Sequence, residues 1–324
     1  MQKVALIFTG GTIAMKVNSK LQGAVPSVTP EEIVSAIAEY TPYENLETFE
    51  FSKLPSPSIT PDKMHELKSI IDGYLENPAF AGVVVVHGTD TLEETAFYLD
   101  IVSSSDKPVV LTGSMKNASE LGYDGLTNLV SSIKVVLEPT SRGKGVLVVM
   151  NYAINSAWEV TKTHTLNLDT FQSVEFGPLG IIDDEDVIYF RERTQRKALN
   201  LKSAFSDDVH LLKVYAGMGG ELIDALVDSG AKGIVLEALG RGNVPATMMD
   251  AIKNARQAGV AIVIVSRCIG GRVLDTYGYI GGGKDLVRHG CMLGGNLSGP
   301  KARVLLMVAL SNGLSRKEIE RLFA

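Results

Sequence analysis

Residues 83–95 read VVVVHGTDTLEET. Four consecutive valines carry no polar alternation, so a strand built from them must be covered on both faces, as in a parallel sheet flanked by helices. The run stops at His87, Gly88, Thr89, Asp90 and Thr91, and a helical pattern opens at Leu92. Thr91 with Glu94 three residues on has the spacing of a capping box. That leaves Thr89 and Asp90 without a capping duty, although an aspartate in a turn is ordinary. Ligands of parallel α/β sheets bind beyond the carboxyl ends of the strands. A hydroxyl and a carboxylate at the end of the most apolar strand are therefore candidates for chemistry.

The same texture recurs on either side. KVALIF (3–8), PVVLTG (108–113), GVLVVM (145–150), HLLKVY (210–215), GIVLEAL (233–239) and VAIVIVS (260–266) are short, apolar and rich in β-branched residues. Helical patterns separate them. TPEEIVSAIAEY (29–40) opens with Thr29 as N-cap, Pro30 in the first turn and Glu32 at capping-box spacing, and Thr60-Pro61 repeats that opening. Residues 124–138 and 245–259 read as helices in the same way. Strands alternating with helices predict an α/β protein with mainly parallel sheets. The polar, charged stretch 191–209 predicts a connection between a larger N-terminal α/β domain, 1–190, and a smaller C-terminal one, 210–324. Residues 16–27 and 275–286 read as binding loops or lids.

Composition narrows the function classes. The chain has 324 residues, 45% hydrophobic and 21% charged, with a formal net charge of −6. A core is affordable and global disorder is excluded. No basic face is evident, so nucleic acid is not an expected partner. No apolar run is long enough to span a membrane, and the N-terminus lacks the pattern of a signal peptide, so a cytoplasmic protein is expected. Cys268 and Cys291 have no CxxC partner. They read as two reduced thiols or as one disulfide.

Among the strand ends, TGGT follows the first strand, HGTDT the valines and TGSM the strand after them; NYA and then EVTKTHT come later. Gly10-Gly11 is a tight turn or a close approach to a ligand, but neither GxGxxG nor GxxxxGK[ST] is present. Lys162, in EVTKTHT, has the ordinary reading of a solvated surface lysine. The five histidines show no metal-ligand spacing, and there is no GxSxG elbow or recognisable cysteine nucleophile. No metal or cofactor is expected. A hydrolase with this inventory would use a threonine.

IFTGGTIA (7–14) and VVVVHGTDTLEETAFYL (83–99), followed by PVVLTGSM, YDGLTNL, VTKTHT, GRGNVP and GGNLSGPKARVLLMVAL, resemble the bacterial-type L-asparaginases over essentially the whole chain. The resemblance implies an amidohydrolase that converts L-asparagine to L-aspartate and ammonia. By match of motif, Thr12 is the nucleophile, and Thr89, Asp90 and Lys162 form a supporting triad. Ser56 holds the substrate α-carboxylate, Thr89 and Asp90 contact the substrate, and the Ser114 backbone carbonyl receives its amide. Asn243 would reach the site from a neighbouring subunit, which implies a homodimer or homotetramer. The chemistry fits: a threonine hydroxyl attacks only when a base polarises it. Burial and a nearby carboxylate act on a lysine in opposite directions. A coupled Thr89–Lys162–Asp90 network is expected rather than a single free base.

Three departures stand out. Residues 16–27 lack the tyrosine that the family's mobile loop brings to the nucleophile. Pro57 follows Ser56, where some members carry a glutamine. LDTYGYIGGG shows no obvious counterpart of the acid that a partner subunit contributes, and Tyr277 or Tyr279 occupies that stretch. Two other readings stay open, a dual glutaminase-asparaginase and a non-catalytic amino-acid-binding protein on the same fold. A tRNA-dependent amidotransferase subunit would carry a further N-terminal domain, whereas this sequence opens directly on the first strand.

Overall fold

The computed structural model describes residues 2–18, 23–38, 40, 45–193, 198–199 and 208–323. The chain forms two compact units, Met1–Ala198 and Leu199–Ala324.

In the first unit the strands and helices alternate as the apolar runs predict. They are β1 (Lys3–Phe8), a hairpin of β2 (Met15–Asn18) and β3 (Gly23–Pro26), α1 (Pro30–Ile37), β4 (Leu46–Glu50), α2 (Pro61–Glu76), β5 (Phe80–Val86), α3 (Leu92–Val102), β6 (Val109–Thr112), α4 (Gly125–Leu137) and β7 (Val146–Met150). Then come β8 (Ala153–Ser156), the two-residue pair β9 (Thr161–Lys162) and β10 (Phe171–Gln172), β11 (Gly180–Asp183) and β12 (Asp186–Tyr189). The main sheet runs β12-β11-β8-β7-β6-β5-β1-β4. The five strands from β7 to β4 are parallel, and the β8, β11 and β12 edge is antiparallel.

Every residue of β5 is buried. Val84 and Val86 pack with Val4, Leu6, Phe8, Leu129 and Ile133 in one core beneath α1 and α4. Val83 and Val85 alternate with them and are equally buried, and α2 packs against the same strand. Full burial of one such side chain contributes about 1.5–3 kcal/mol. Both faces of the strand are occupied, which is why its sequence shows no alternation. Thr29 caps α1 with the predicted capping box, and Thr60 accepts from Lys63 N–H at the start of α2.

Two expectations change. Residues 16–27 do not run as an open loop, because β2 and β3 pair antiparallel from Met15↔Pro26 to Asn18↔Gly23, with 19–22 outside the described residues. The 275–286 stretch is a loop only in part, since a helix begins at Gly283. Much of 191–209 lies outside the described residues. At its start, Arg191 pairs with Glu159 at 2.5 Å and Arg193 with Asp100 at 2.5 Å, so both side chains pack on the first unit.

The second unit holds β13 (Val209–Lys213), α5 (Glu221–Asp228), β14 (Gly233–Ala238), α6 (Met249–Gln257), β15 (Ala261–Ser266), α7 (Gly283–Arg288), β16 (Met292–Leu293), α8 (Gly299–Ser311) and α9 (Arg316–Leu322). Its sheet is parallel in the order β13-β14-β15-β16. Cys268 is exposed, Cys291 is buried and both are free thiols, which removes the disulfide alternative.

Candidate active site

The carboxyl ends of β1, β5 and β6 meet through glycines. Gly10 and Gly11 have φ of 110° and 91°, a region that side chains rarely enter. A Cβ on Gly11 would stand 2.5 Å from Gly88 Cα, and one on Gly10 would stand 2.4 Å from the Leu54 carbonyl oxygen. A Cβ on Gly88 would meet Ser56 Cβ at 2.8 Å, and one on Gly113 would meet the His87 carbonyl oxygen at 2.4 Å. Four turns can approach this closely only because no side chain stands between them. The turn carrying Thr12 is thereby set against the one carrying Thr89, and Ser56 against both Gly88 and Asp90.

His87 anchors this junction from below. It is fully buried, and desolvation pushes its imidazole down to about 4, partly opposed by the hydrogen bond to the Gly88 carbonyl. Nδ1 lies 2.8 Å from that carbonyl oxygen and Nε2 lies 3.1 Å from Thr95 Oγ1. A carbonyl only accepts, so Nδ1 carries the proton and Nε2 accepts from the threonine hydroxyl. A neutral imidazole thus clamps the first peptide of the GTD turn.

Lys162 supplies the cation. Its Nζ donates to Thr89 Oγ1 at 2.9 Å and to Asp90 Oδ1 at 2.7 Å. Thr89 is buried, the lysine side chain is 18% exposed and the aspartate side chain is 64% exposed, so the pair opens toward solvent on the carboxylate side. The lysine is no solvated surface residue. Its backbone N–H donates to Glu93 Oε2 at 2.8 Å, tying β9 to the first turn of α3.

Ser56 is buried in a short 3-10 turn. Its hydroxyl oxygen accepts from Asp90 N–H at 3.2 Å, and its carbonyl accepts from the Thr91 hydroxyl at 2.7 Å. This corrects the capping-box expectation. Thr91 stands at the N-cap of α3, but its side chain makes no cap hydrogen bond. The distant Ser56 carbonyl takes its proton instead.

Ser114, also buried, turns its hydroxyl to Asp124 Oδ1 at 2.6 Å. Thr12 opens a 3-10 turn and is half-buried. The first unit therefore gathers Thr89, Asp90, Lys162 and Ser56 by direct hydrogen bonds, and Thr12 through the Gly11–Gly88 contact. Ser114 borders them through Gly113, whose Cβ would lie 3.3 Å from Thr89 Cγ2. Asn243 belongs to the second unit. There it bridges to Leu239 and its Oδ1 accepts from Gly283 N–H at 3.3 Å. Tyr277 and Tyr279 lie in the same unit with ring centroids 5.7 Å apart. Sequence reasoning assigned nothing to His87, Glu93, Tyr123, Asp124 or Asn128. The last three sit in the YDGLTNL motif, which reads locally as a helix start.

Residues 3–195 match the family model described as "Asparaginase, N-terminal", and 208–323 match the "Glutaminase/Asparaginase C-terminal domain". The chain is 37% identical to an L-asparaginase of Bacillus licheniformis over 96% of each chain. It is 38% identical to a probable L-asparaginase of Deinococcus radiodurans, over 100% of this chain and 97% of the relative. The crystal structure of a probable cytoplasmic L-asparaginase from Campylobacter jejuni superposes with a TM-score of 0.89 at 32% identity, covering 100% and 99% of the two chains. With the strand-end geometry and both family models in agreement along its length, the chain belongs to the asparaginase family.

Proposed function

We propose that the protein hydrolyses the side-chain amide of L-asparagine to L-aspartate and ammonia. One observation carries the reading: a lysine ammonium bridges a threonine hydroxyl and a carboxylate at the end of β5, beside the turn that holds Thr12. Thr12 Oγ attacks the amide carbon, and its proton moves through the Thr89–Lys162–Asp90 network. The C–N bond breaks, the nitrogen takes a proton and ammonia leaves an acyl ester on Thr12. Water then attacks the ester, aspartate departs and the threonine hydroxyl is restored. Backbone N–H groups near Gly11-Thr12 or Thr89 serve as the oxyanion hole, worth about 3–4 kcal/mol in comparable enzymes.

Substrate recognition divides among small groups. The Ser56 hydroxyl accepts from Asp90 N–H, which leaves its own proton for the substrate α-carboxylate. The exposed side of Asp90 pairs with the α-ammonium. The Ser114 hydroxyl is taken up by Asp124 and the Lys116 carbonyl, which supports a role for its backbone carbonyl toward the amide nitrogen. Asn243 acts from a neighbouring subunit, making a homodimer the minimal active unit of a dimer or tetramer. A cytoplasmic location is supported by the name of the structural neighbour. Among the described residues, no helix is long and apolar enough to cross a membrane.

A dual glutaminase-asparaginase is the second reading, favoured by the description of the C-terminal family model. One methylene changes selectivity by only about 1–3 kcal/mol. The deciding experiment measures ammonia release by the purified protein, with kcat/KM for L-asparagine, L-glutamine and D-asparagine side by side. Folded Thr12→Ala should release almost none. Retention of most of the wild-type rate by that variant removes Thr12 as nucleophile. Wild-type protein that binds asparagine without releasing ammonia is a binding protein instead.

A further inference from the structure

Tyr123 and Asp124 lie just before α4, and their side chains reach two different strand-end turns. Asp124 stands at the N-cap of α4 without capping it. Its Oδ1 accepts from the Ser114 hydroxyl at 2.6 Å and from Lys116 N–H at 3.0 Å. Oδ2 accepts from Met115 N–H at 3.0 Å and from Asn128 Nδ2 at 2.9 Å. Four donors fill the acceptor sites of one carboxylate. Two of them are successive backbone amides, so the carboxylate sets the peptide planes of the turn after β6. Asn128, itself buried, ties the same turn to the rest of the sheet. Its Nδ2 donates to the Gly113 carbonyl at 3.0 Å, and its Oδ1 accepts from Asn151 N–H at 2.9 Å.

The neighbouring side chain acts on the other turn. Tyr123 Oη donates to the Ile13 carbonyl at 2.8 Å, one residue after Thr12. Ala118 N–H donates to the Met15 carbonyl at 3.0 Å, closing the contact from the same segment. Gly125 keeps room for the ring, since a Cβ there would meet Tyr123 Oη at 2.5 Å and two ring carbons at 2.6 Å. Two consecutive residues thus hold the Thr12 turn and the Ser114 turn at a fixed separation.

We propose that Asp124 is a positioning residue for amide attack, holding the Ser114 carbonyl where it receives the substrate amide N–H, and that Tyr123 holds the Thr12 turn against it. The clamp has this meaning only if Thr12 attacks an amide there, as proposed above. Asp124 touches no substrate, and Ser56 and Asp90, which anchor the amino-acid end, are not among the groups it holds. Damage to the clamp therefore falls on alignment of the amide rather than on capture of the substrate.

The test compares Asp124→Asn, which replaces one acceptor oxygen by a donor of equal size, with wild type on two substrates. L-asparagine offers an amide N–H to the Ser114 carbonyl, and L-aspartic acid β-methyl ester does not. Asp124→Asn should lower kcat for asparagine at least about tenfold, as misplacement by a fraction of an ångström does. The ester rate and the inhibition constant of L-aspartate should stay within about threefold, a split that a general loss of structure would not produce. Tyr123→Phe loses one hydroxyl and serves if Asp124→Asn does not fold. It should lower kcat on amide and ester alike, because it acts on the nucleophile's turn, again with aspartate inhibition unchanged. Equal loss of amide turnover, ester turnover and aspartate binding in Asp124→Asn overturns the proposal, as does loss of aspartate binding in Tyr123→Phe. Wild-type protein that releases no ammonia from asparagine overturns the amidohydrolase reading, and the clamp with it. Wild-type turnover without the amide–ester split overturns the clamp alone.

Discussion

Gly11→Ala puts a single methyl group into the contact that sets the Thr12 turn against the Thr89 turn. Two costs follow. Gly11 has φ 91° and ψ 178°, a conformation open almost only to glycine, and alanine there is strained by about 1–3 kcal/mol. The new Cβ would also lie 2.5 Å from Gly88 Cα and 2.6 Å from Gly88 N. Ordinary contact begins at 3.4 Å, so 3.4 − 2.5 leaves about 0.9 Å to be found by moving one backbone away from another. No side chain can rotate aside, and overpacking of this kind costs a further 1–3 kcal/mol or about that. A shift approaching 1 Å between nucleophile and partner lowers turnover on the order of 100-fold. The assay pairs the urea midpoint with kcat for ammonia release and the inhibition constant of L-aspartate. Gly143→Ala is the control: φ is 74° but nothing lies within 4 Å of its Cβ, so it should lose stability through strain alone and keep its turnover. If Gly11→Ala is destabilised but turns over within threefold of wild type, the glycine contact does not position Thr12. If it matches Gly143→Ala in both measures, the clash argument itself is wrong.

Lys162→Met keeps the length of the side chain and removes the ammonium shared by Thr89 and Asp90. It should depress kcat by roughly 100-fold or more, as loss of a proton-transfer group does, and change L-aspartate inhibition by only a few-fold. Equal losses in both would assign the lysine a structural role. His87 makes stability depend on pH. Buried neutral with its pKa lowered to about 4, it binds its proton later than the unfolded chain does at the ordinary 6.5. Its contribution is complete above that ordinary value, declines as pH falls toward about 4 and then levels off, a loss on the order of 3 kcal/mol. Urea midpoints of wild type and His87→Gln across this window should converge as the pH drops. Parallel profiles would show that the imidazole is protonated in the folded protein too.

The parallel core was legible because burial on both faces writes itself into adjacent residues. VVVV can be read without knowing what covers it, and Thr29-Pro30 with Glu32 names a helix start without reference to anything distant. The antiparallel edge was less visible. β12 alternates between exposed and half-buried positions over four residues, and in the separate β2–β3 hairpin the sequence holds the Lys, Gly and Pro of an ordinary loop, so backbone pairing decides what side chains do not.

Polar residues carry no such local record. Thr91 and Asp124 both stand at helix N-caps, and both send their side chains elsewhere, to the Ser56 carbonyl and to the Ser114 turn. A cap offers a backbone N–H at the helix's own first turn, while tertiary contact offered Thr91 an otherwise buried carbonyl and Asp124 four donors at once. Four hydrogen bonds outweigh one cap for Asp124, while Thr91 adds a second donor to a Ser56 carbonyl that Ile59 N–H already meets. Lys162 is the extreme case. Thr89 and Asp90 lie 73 and 72 residues away in sequence, and nothing near EVTKTHT marks the lysine as anything but a solvated side chain. Only resemblance assigned it, and only the folded chain shows the tether by which Glu93 holds its strand at the site. Residues whose polar groups abandon a local partner for a remote one are therefore the places to look for the supports of a site. By that criterion Asp124, turned from its helix start to the Ser114 turn, stands beside Thr91 in the frame around the threonines.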